Sequence, residues 1–364
     1  MNTHHPTRLL HGEHARELAD ELWTAVTTGH EYAATDIVLR ALDQGADPET
    51  VLLDVIAKVQ ATVGEEWAAN RLSVAQEHAA TAINERAVAA LALHPSARTT
   101  TPHQGRITVV CVDGEWHALP ARLLAEVLKL RGWQVDYLGT QVPAPHLISH
   151  LTLTDADAVA LSSSIATRLP TAHAAITACQ AVGVPVLVGG AAFGPDGRYA
   201  HLLGADAWAP DARTAADRLA KGPLPRPRVD HRQVDDLPHL ADQEYTMVAR
   251  SRDSLVRAVF TDLEDAFPAM RAYDDRQREH TAEDLAHIVD FLATALYLDD
   301  EALFSQFITW TAQILRARGV APHSLPPALR LFAHELKDFP RAARALQRGL
   351  DALATDHSTA GTPA

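Results

Sequence analysis

"VVCVDGEWHALPARL" occupies Val109–Leu123, and the fold turns on how this stretch is read. Its apolar start, Val109–Val112, suits a buried strand. Asp113-Gly114 breaks the run. A helix restarts near Pro120, whose missing N–H costs nothing in a first turn. His117 lies in the loop between, with Glu115 two residues before it. Strand, histidine-bearing loop and helix make the entry to a βα unit, and in parallel sheets ligands lie beyond the strand carboxyl ends.

The pattern repeats downstream. "RITVVCV", "WQVDYLG", "AVALSSS", "VPVLVGG" and a short "AWAPD" read as strands, each followed by a helical stretch. Such alternation predicts a parallel sheet with helices on both faces, a Rossmann- or flavodoxin-like α/β domain over 105–221. The loops at its carboxyl edge, "DGEWHAL", "LGTQVPA", "SSSIATRLP" and "GGAAFGPDG", hold neither a Walker loop nor the dinucleotide glycine fingerprint. Upstream, residues 12–98 read as a four-helix bundle. There Leu52, Ile56, Val59, Val63 and Trp67 share one helix face, and Ser73 with Gln76 forms a capping box that starts the last helix. "HPSARTTTPHQG" links bundle to sheet. A proline-rich linker is expected over 222–239, and a further helical domain, relatively rich in aromatics, over 240–352. In that domain Pro268 should break a helix, and Thr281 should cap the next one. The fold class is thus α/β plus all-α.

Composition narrows the function. The chain has 364 residues, 47% of them hydrophobic, and a formal net charge of -14. That charge opposes binding to nucleic acid or to an anionic membrane. The sequence lacks both an apolar window long enough to span a bilayer and the basic-then-apolar order of a signal peptide, so a cytoplasmic protein is expected. Cys111 and Cys179, the two cysteines, lie in apolar runs and read as buried thiols.

"WAANRLSVAQEHAATAI" from Trp67, "GEWHALPARL" from Gly114, "SSS" at Ser162–Ser164 and "VGGAAF" at Val188–Phe193 together resemble the cobalamin-binding module of methionine synthase. They are more similar still to the light-sensing cobalamin regulators. The likeness runs from about residue 12 to residue 221. The acid-x-His-x-x-Gly motif of that family falls on Glu115, His117 and Pro120, with Glu in place of the usual Asp and proline in place of glycine. The resemblance implies His117 as lower axial ligand to the cobalt of a base-off corrin. It implies a nucleotide tail in a groove lined by Ser162, Ser163, Ser164, Gly189 and Gly190, with Trp116, Leu119 and Phe193 as further contacts. Elementary chemistry agrees in part: imidazole suits cobalt, and a nearby carboxylate can accept the other ring N–H and fix the tautomer. In light-sensing members a Trp, then nine residues, then Glu-His, meets the adenosyl group; Trp67, Glu77 and His78 match that spacing. A second histidine that follows this Trp in gene-regulating members is Ala68 here. A solvated loop histidine, a core tryptophan and a solvated helix glutamate are the plain alternatives for His117, Trp67 and Glu77.

The complete architecture resembles the photocobilins, which pair adenosylcobalamin with biliverdin. That likeness implies a globin-like helical domain at the carboxyl end holding a bilin. A tetrapyrrole with propionates needs cations, polar contacts and an apolar slot. Arg271, Arg276, His280, His287, Tyr273 and Tyr297 are the candidates. With no cysteine past Cys179, attachment there would be non-covalent. A dimerisation bundle and a haem site are the other readings of this domain. The family's helix-turn-helix segment and its catalytic partner domains find no counterpart in the sequence. A sensor is therefore expected rather than an enzyme: a homo-oligomer whose assembly responds to light, with a separate output protein. A corrinoid methyl carrier, or a cobalamin-responsive interaction protein without light function, are the alternatives.

Overall fold

Three apolar runs build the middle of one parallel sheet. The computed structural model describes residues 12–98, 104–227 and 237–359, with side chains to 355. Strand β1 (Arg106–Cys111) lies between β2 (Gln134–Gly139) and β3 (Ala158–Ser162); β4 (Val186–Gly189) and β5 (Ala207–Ala209) complete the order β2-β1-β3-β4-β5. Every pairing is parallel. β3 is buried throughout and β1 from Ile107 onward, as a strand covered on both faces must be, whereas the edge strand β2 is only partly buried. The order places a topological switch between β1 and β3, where a crevice opens at their carboxyl ends.

The amino-terminal helices are α1 (Gly12–Thr27), α2 (Glu31–Asp43), α3 (Pro48–Thr50), α4 (Ala57–Ala68) and α5 (Val74–Leu93). A π-helical turn, Val51–Ile56, joins α3 to α4, so that 48–68 runs on without a break. Leu52, Ile56, Val59 and Val63 face inward, and the Ser73–Gln76 capping box is formed as expected. The crossovers of the sheet are α6 (Ala118–Leu130), α7 (Ala144–Thr154), α8 (Leu169–Ala181) and α9 (Arg198–Leu202), and α10 (Ala212–Ala220) follows β5. Alternate residues of β1, namely Ile107, Val109 and Cys111, share one continuous core with α6, α10 and the bundle. Two segments that are separate in sequence therefore form one compact unit, residues 1–233. Charge clamps the seam: Arg131 at the end of α6 reaches Glu49 of α3 at 2.6 and 2.9 Å and Asp217 of α10 at 3.3 Å. Arg213 pairs with Asp54 at 3.0 Å.

The second unit, residues 234–364, is helical wherever it is regular among the described residues. It comprises α11 (Glu244–Arg250), α12 (Arg252–Ala266), α13 (Asp275–Leu298), α14 (Glu301–Ala317), α15 (Leu325–Glu335) and α16 (Pro340–Thr359). Pro268 does break the chain, in a 3-10 turn over Pro268–Ala272. Thr281 is not a cap. Asp274 accepts from the Gln277 N–H and Gln277 closes a capping box, so α13 begins about two turns earlier. Thr281 instead bonds back to the Gln277 carbonyl inside the helix. Phe304, Phe332, Ile308 and Leu346 fill the core. Gly349 lets α16 approach α14: a Cβ there would lie 3.0 Å from the Phe304 ring. Part of the expected 222–239 linker, 228–236, lies outside the described residues. Among the described residues no helix is long and apolar enough to cross a membrane.

Candidate functional site

The loop after β1 turns at Gly114, at φ +79°, and carries Glu115, Trp116 and His117 to the amino end of α6. Glu115 has no solvent exposure. Its Oε1 accepts from the backbone N–H groups of Trp116 and His117, both at 3.0 Å, and from His117 Nδ1–H at 2.6 Å. Its Oε2 accepts from the Ser163 hydroxyl at 3.1 Å, the Ser164 N–H at 2.7 Å and the Ile165 N–H at 3.1 Å. Burial alone would push this carboxyl up. The hydrogen bonds from His117 and from the Ser164 backbone outweigh burial and hold it at about 2, so it is a carboxylate. One buried anion thus fastens the loops after β1 and β3 across the switch point.

The consequence for His117 is chemical. Its Nδ1–H is committed to Glu115, which leaves the Nε2 lone pair as the ring's donor to a ligand. The side chain is 44% exposed, so the ring stands at the rim of the sheet. Trp116, itself 57% exposed, has its ring centroid 5.3 Å from the imidazole. Leu119 is buried in the first turn of α6, and the Tyr137 hydroxyl donates to the Ala118 carbonyl at 3.3 Å. Among the described residues no three His, Cys, Asp or Glu side chains converge to hold a metal ion. A lone imidazole suits a metal whose other ligands come from its own macrocycle.

Beside this loop lies a backbone cradle. Ser163 N–H donates to the Gly189 carbonyl at 3.1 Å, and Ala192 N–H to the Ser163 carbonyl at 3.2 Å. Gly190 sits at φ +98°, and a Cβ there would lie 2.2 Å from the Ser163 carbonyl oxygen, so only glycine fits. Ser162 and Ser163 are buried, Ser164 is half-buried, and Phe193 is fully buried in the turn that follows. Ser163, Ser164, Gly189 and Gly190 therefore converge with Glu115 and His117. This close backbone approach and one outward imidazole fit a corrinoid with a long tail.

Trp67, Glu77 and His78 belong to the bundle. Trp67 is half-buried at the end of α4 and packs on the shared core. Glu77 accepts from Thr81 at 2.9 Å and lies 2.6 Å from His78 Nδ1. The polar chain continues through Gln60, which donates to Thr81 at 2.7 Å and accepts from Asn84 at 2.8 Å. α5 packs on α6, the helix that follows His117. Sequence reasoning missed Gln60, Thr81 and Asn84, and it missed the grip of Glu115 on Ser164 and Ile165. Their partners lie 21 to 50 positions away, beyond any local spacing rule.

In the second unit the candidates divide. Arg271 is exposed and pairs with Asp265 at 2.7 Å; Tyr273 packs edge-on to Phe267. Arg276 Nε donates to His280 Nε2 at 3.4 Å, His280 Nδ1 faces Glu283 at 3.1 Å, and His287 is exposed. Tyr297 stands at the other end of α13, roughly 25 Å along the axis from His280. It meets Tyr245 edge-on, with ring centroids 4.8 Å apart.

Comparison with known proteins accords with this geometry. Residues 18–92 match one family described as a B12 binding domain, and residues 105–220 match a second of the same description. The HTH-type transcriptional repressor CarH of Myxococcus xanthus is 30% identical over 178 residues, 47% of this chain. The chain spans 57% of the length of that curated relative. The monomethylamine corrinoid protein of Methanosarcina barkeri superposes with a TM-score of 0.50 at 19% identity, over 57% of this chain and 98% of that one; this likeness is one of fold. Residues 18–92 and 105–220 are the two parts of a cobalamin-binding module.

Proposed function

We propose that this chain is a cobalamin-dependent light receptor with His117 as the lower axial ligand. One observation carries the reading: His117 commits Nδ1–H to the buried Glu115 carboxylate and stands at the switch-point rim with Nε2 free of a protein partner among the described residues. Adenosylcobalamin, when bound, supplies a cobalt–carbon bond that visible light breaks. Glu115 keeps the imidazole in one tautomer, with Nε2 turned to the metal side. The loops of Ser162–Ser164 and Gly189-Gly190 receive the nucleotide tail. Trp67 and Glu77 are assigned to the adenosyl side, where Thr81 and His78 hold the Glu77 carboxylate in place. A ligand shifts a protein only by touching its two states differently; loss of the adenosyl group removes contacts with the bundle and so changes subunit assembly. Ala68 follows Trp67, so a residue other than a neighbouring histidine, or water, meets the photoproduct.

The second unit is assigned to non-covalent biliverdin in a globin-like fold, with Arg271, Tyr273, Arg276, His280 and His287 on one stretch as its polar contacts. The chain acts as a sensor, not an enzyme, and passes its signal to a separate protein. The net charge of -14 favours a protein over a nucleic acid as that partner.

The test is an absorption spectrum and an elution profile of protein expressed with cobalamin and biliverdin, in darkness and after green light. Both should change, and His117→Ala should lose the base-off cobalamin spectrum. A wild-type spectrum in that variant removes His117 as ligand. A holoprotein that retains methylcobalamin and ignores light is a methyl carrier instead.

A further inference from the structure

Arg168 ends the loop after β3, in a 3-10 turn over Ala166–Arg168. Its guanidinium lies against the loop that carries His117: a Cβ on Gly114 would be 2.9 Å from one terminal nitrogen and 3.1 Å from Cζ. The same Cζ stands 5.7 Å from the centre of the Trp116 ring. Trp116 in turn stands beside the imidazole, so arginine, indole and imidazole line one rim. Arg168 Nε is buried and has no hydrogen-bond partner, and no carboxylate pairs with the guanidinium among the described residues. Glu115, the buried anion of the adjoining β1 loop, already accepts two sets of three donors. A buried guanidinium donor left unpaired is costly, and a bidentate anion is its natural partner.

Outside the corrin ring, the anionic group of a cobalamin is the phosphodiester of its nucleotide tail. With His117 in the lower axial position, the displaced tail would run along the loops after β3 and β4, and Arg168 ends the first of them. We propose that Arg168 binds this phosphodiester, so that the site selects corrinoids that carry a nucleotide tail over those that lack one. The inference rests on the cobalamin reading above. Arginine matches phosphate geometry with two parallel N–H donors, and a partly buried pair escapes much of the screening by salt. Trp116 supports the guanidinium from its face.

Adenosylcobalamin and adenosylcobinamide, which has no phosphate or nucleotide, separate this role from a structural one. Both are titrated in darkness into the full-length protein and into Arg168→Ala and Arg168→Lys. Arg168→Ala should weaken adenosylcobalamin binding about 10- to 100-fold and leave adenosylcobinamide unchanged, with Arg168→Lys in between. The phosphorus resonance of bound adenosylcobalamin should shift between wild type and Arg168→Ala. Equal weakening of both corrinoids, or of neither, overturns the assignment, as does an unmoved phosphorus resonance. Wild-type protein that binds neither corrinoid sinks the cobalamin reading itself, a result the variants cannot produce.

Discussion

Two clusters of charged and polar side chains were candidates for ligand binding, and the structure treats them oppositely. Around Glu115 a carboxylate without solvent exposure gathers donors from two loops. Around Arg271 and His280 the charges sit on the surface, each paired with a carboxylate three to six positions away. A desolvated anion must be satisfied fully, so it dictates where the backbone goes. An exposed pair exchanges water for a partner at almost no gain, so it dictates little. The first cluster is preorganised before any ligand arrives. The second has no such buried anchor, so any ligand there would have to organise it.

The largest expected effect tests that contrast at its strong end. Glu115→Ala leaves Ser164 and Ile165 N–H groups and the His117 ring without their acceptor. It should destabilise the first unit by about 3–5 kcal/mol in urea unfolding. A loss under about 1 kcal/mol would show that the two loops hold without their anion.

An intermediate effect belongs to the seam between bundle and sheet. The hydrogen bond from Arg131, against the opposing effect of burial, lowers the Glu49 carboxyl below its ordinary 4.5. A carboxyl lowered in the folded state contributes stability above about pH 4.5, and that contribution is lost as pH falls through the lowered value. Arg131→Ala should therefore cost about 1–2 kcal/mol at neutral pH and flatten the acid limb of the stability curve. An acid limb of unchanged steepness would remove this pair from the seam.

The smallest effect tests the weak end. Arg271→Ala should change the stability of the apoprotein by less than about 0.5 kcal/mol, while reducing biliverdin uptake measured by absorbance. A large loss of stability would make Arg271 structural, and unaltered uptake would remove it from the proposed bilin site.

Much of the fold was legible along the chain because its causes are local. Strand alternation with helices follows from apolar periodicity, and the start of α5 follows from a serine and a glutamine three residues apart. Thr281 shows the limit of such signals. Its acidic followers mimic a helix start, but Asp274 and Gln277 offer two reciprocal bonds upstream, and the earlier start wins. In the site, the pairing of Glu115 with His117 was readable because they are two positions apart.

What the sequence by itself determined was the inventory: a histidine two residues after an acid at the end of an apolar run, serines and glycines at the ends of later runs, and a bundle ahead of them. Only the tertiary structure decided that the β1 loop and the β3 loop become neighbours, through a strand order that sets β1 beside β3. The far oxygen of Glu115 and the guanidinium of Arg168 acquire their surroundings there, about fifty positions away along the chain. Hydrogen bonds and ion pairs depend on distance in space, and a sheet that closes non-local contacts sets those distances in a way that no local spacing encodes.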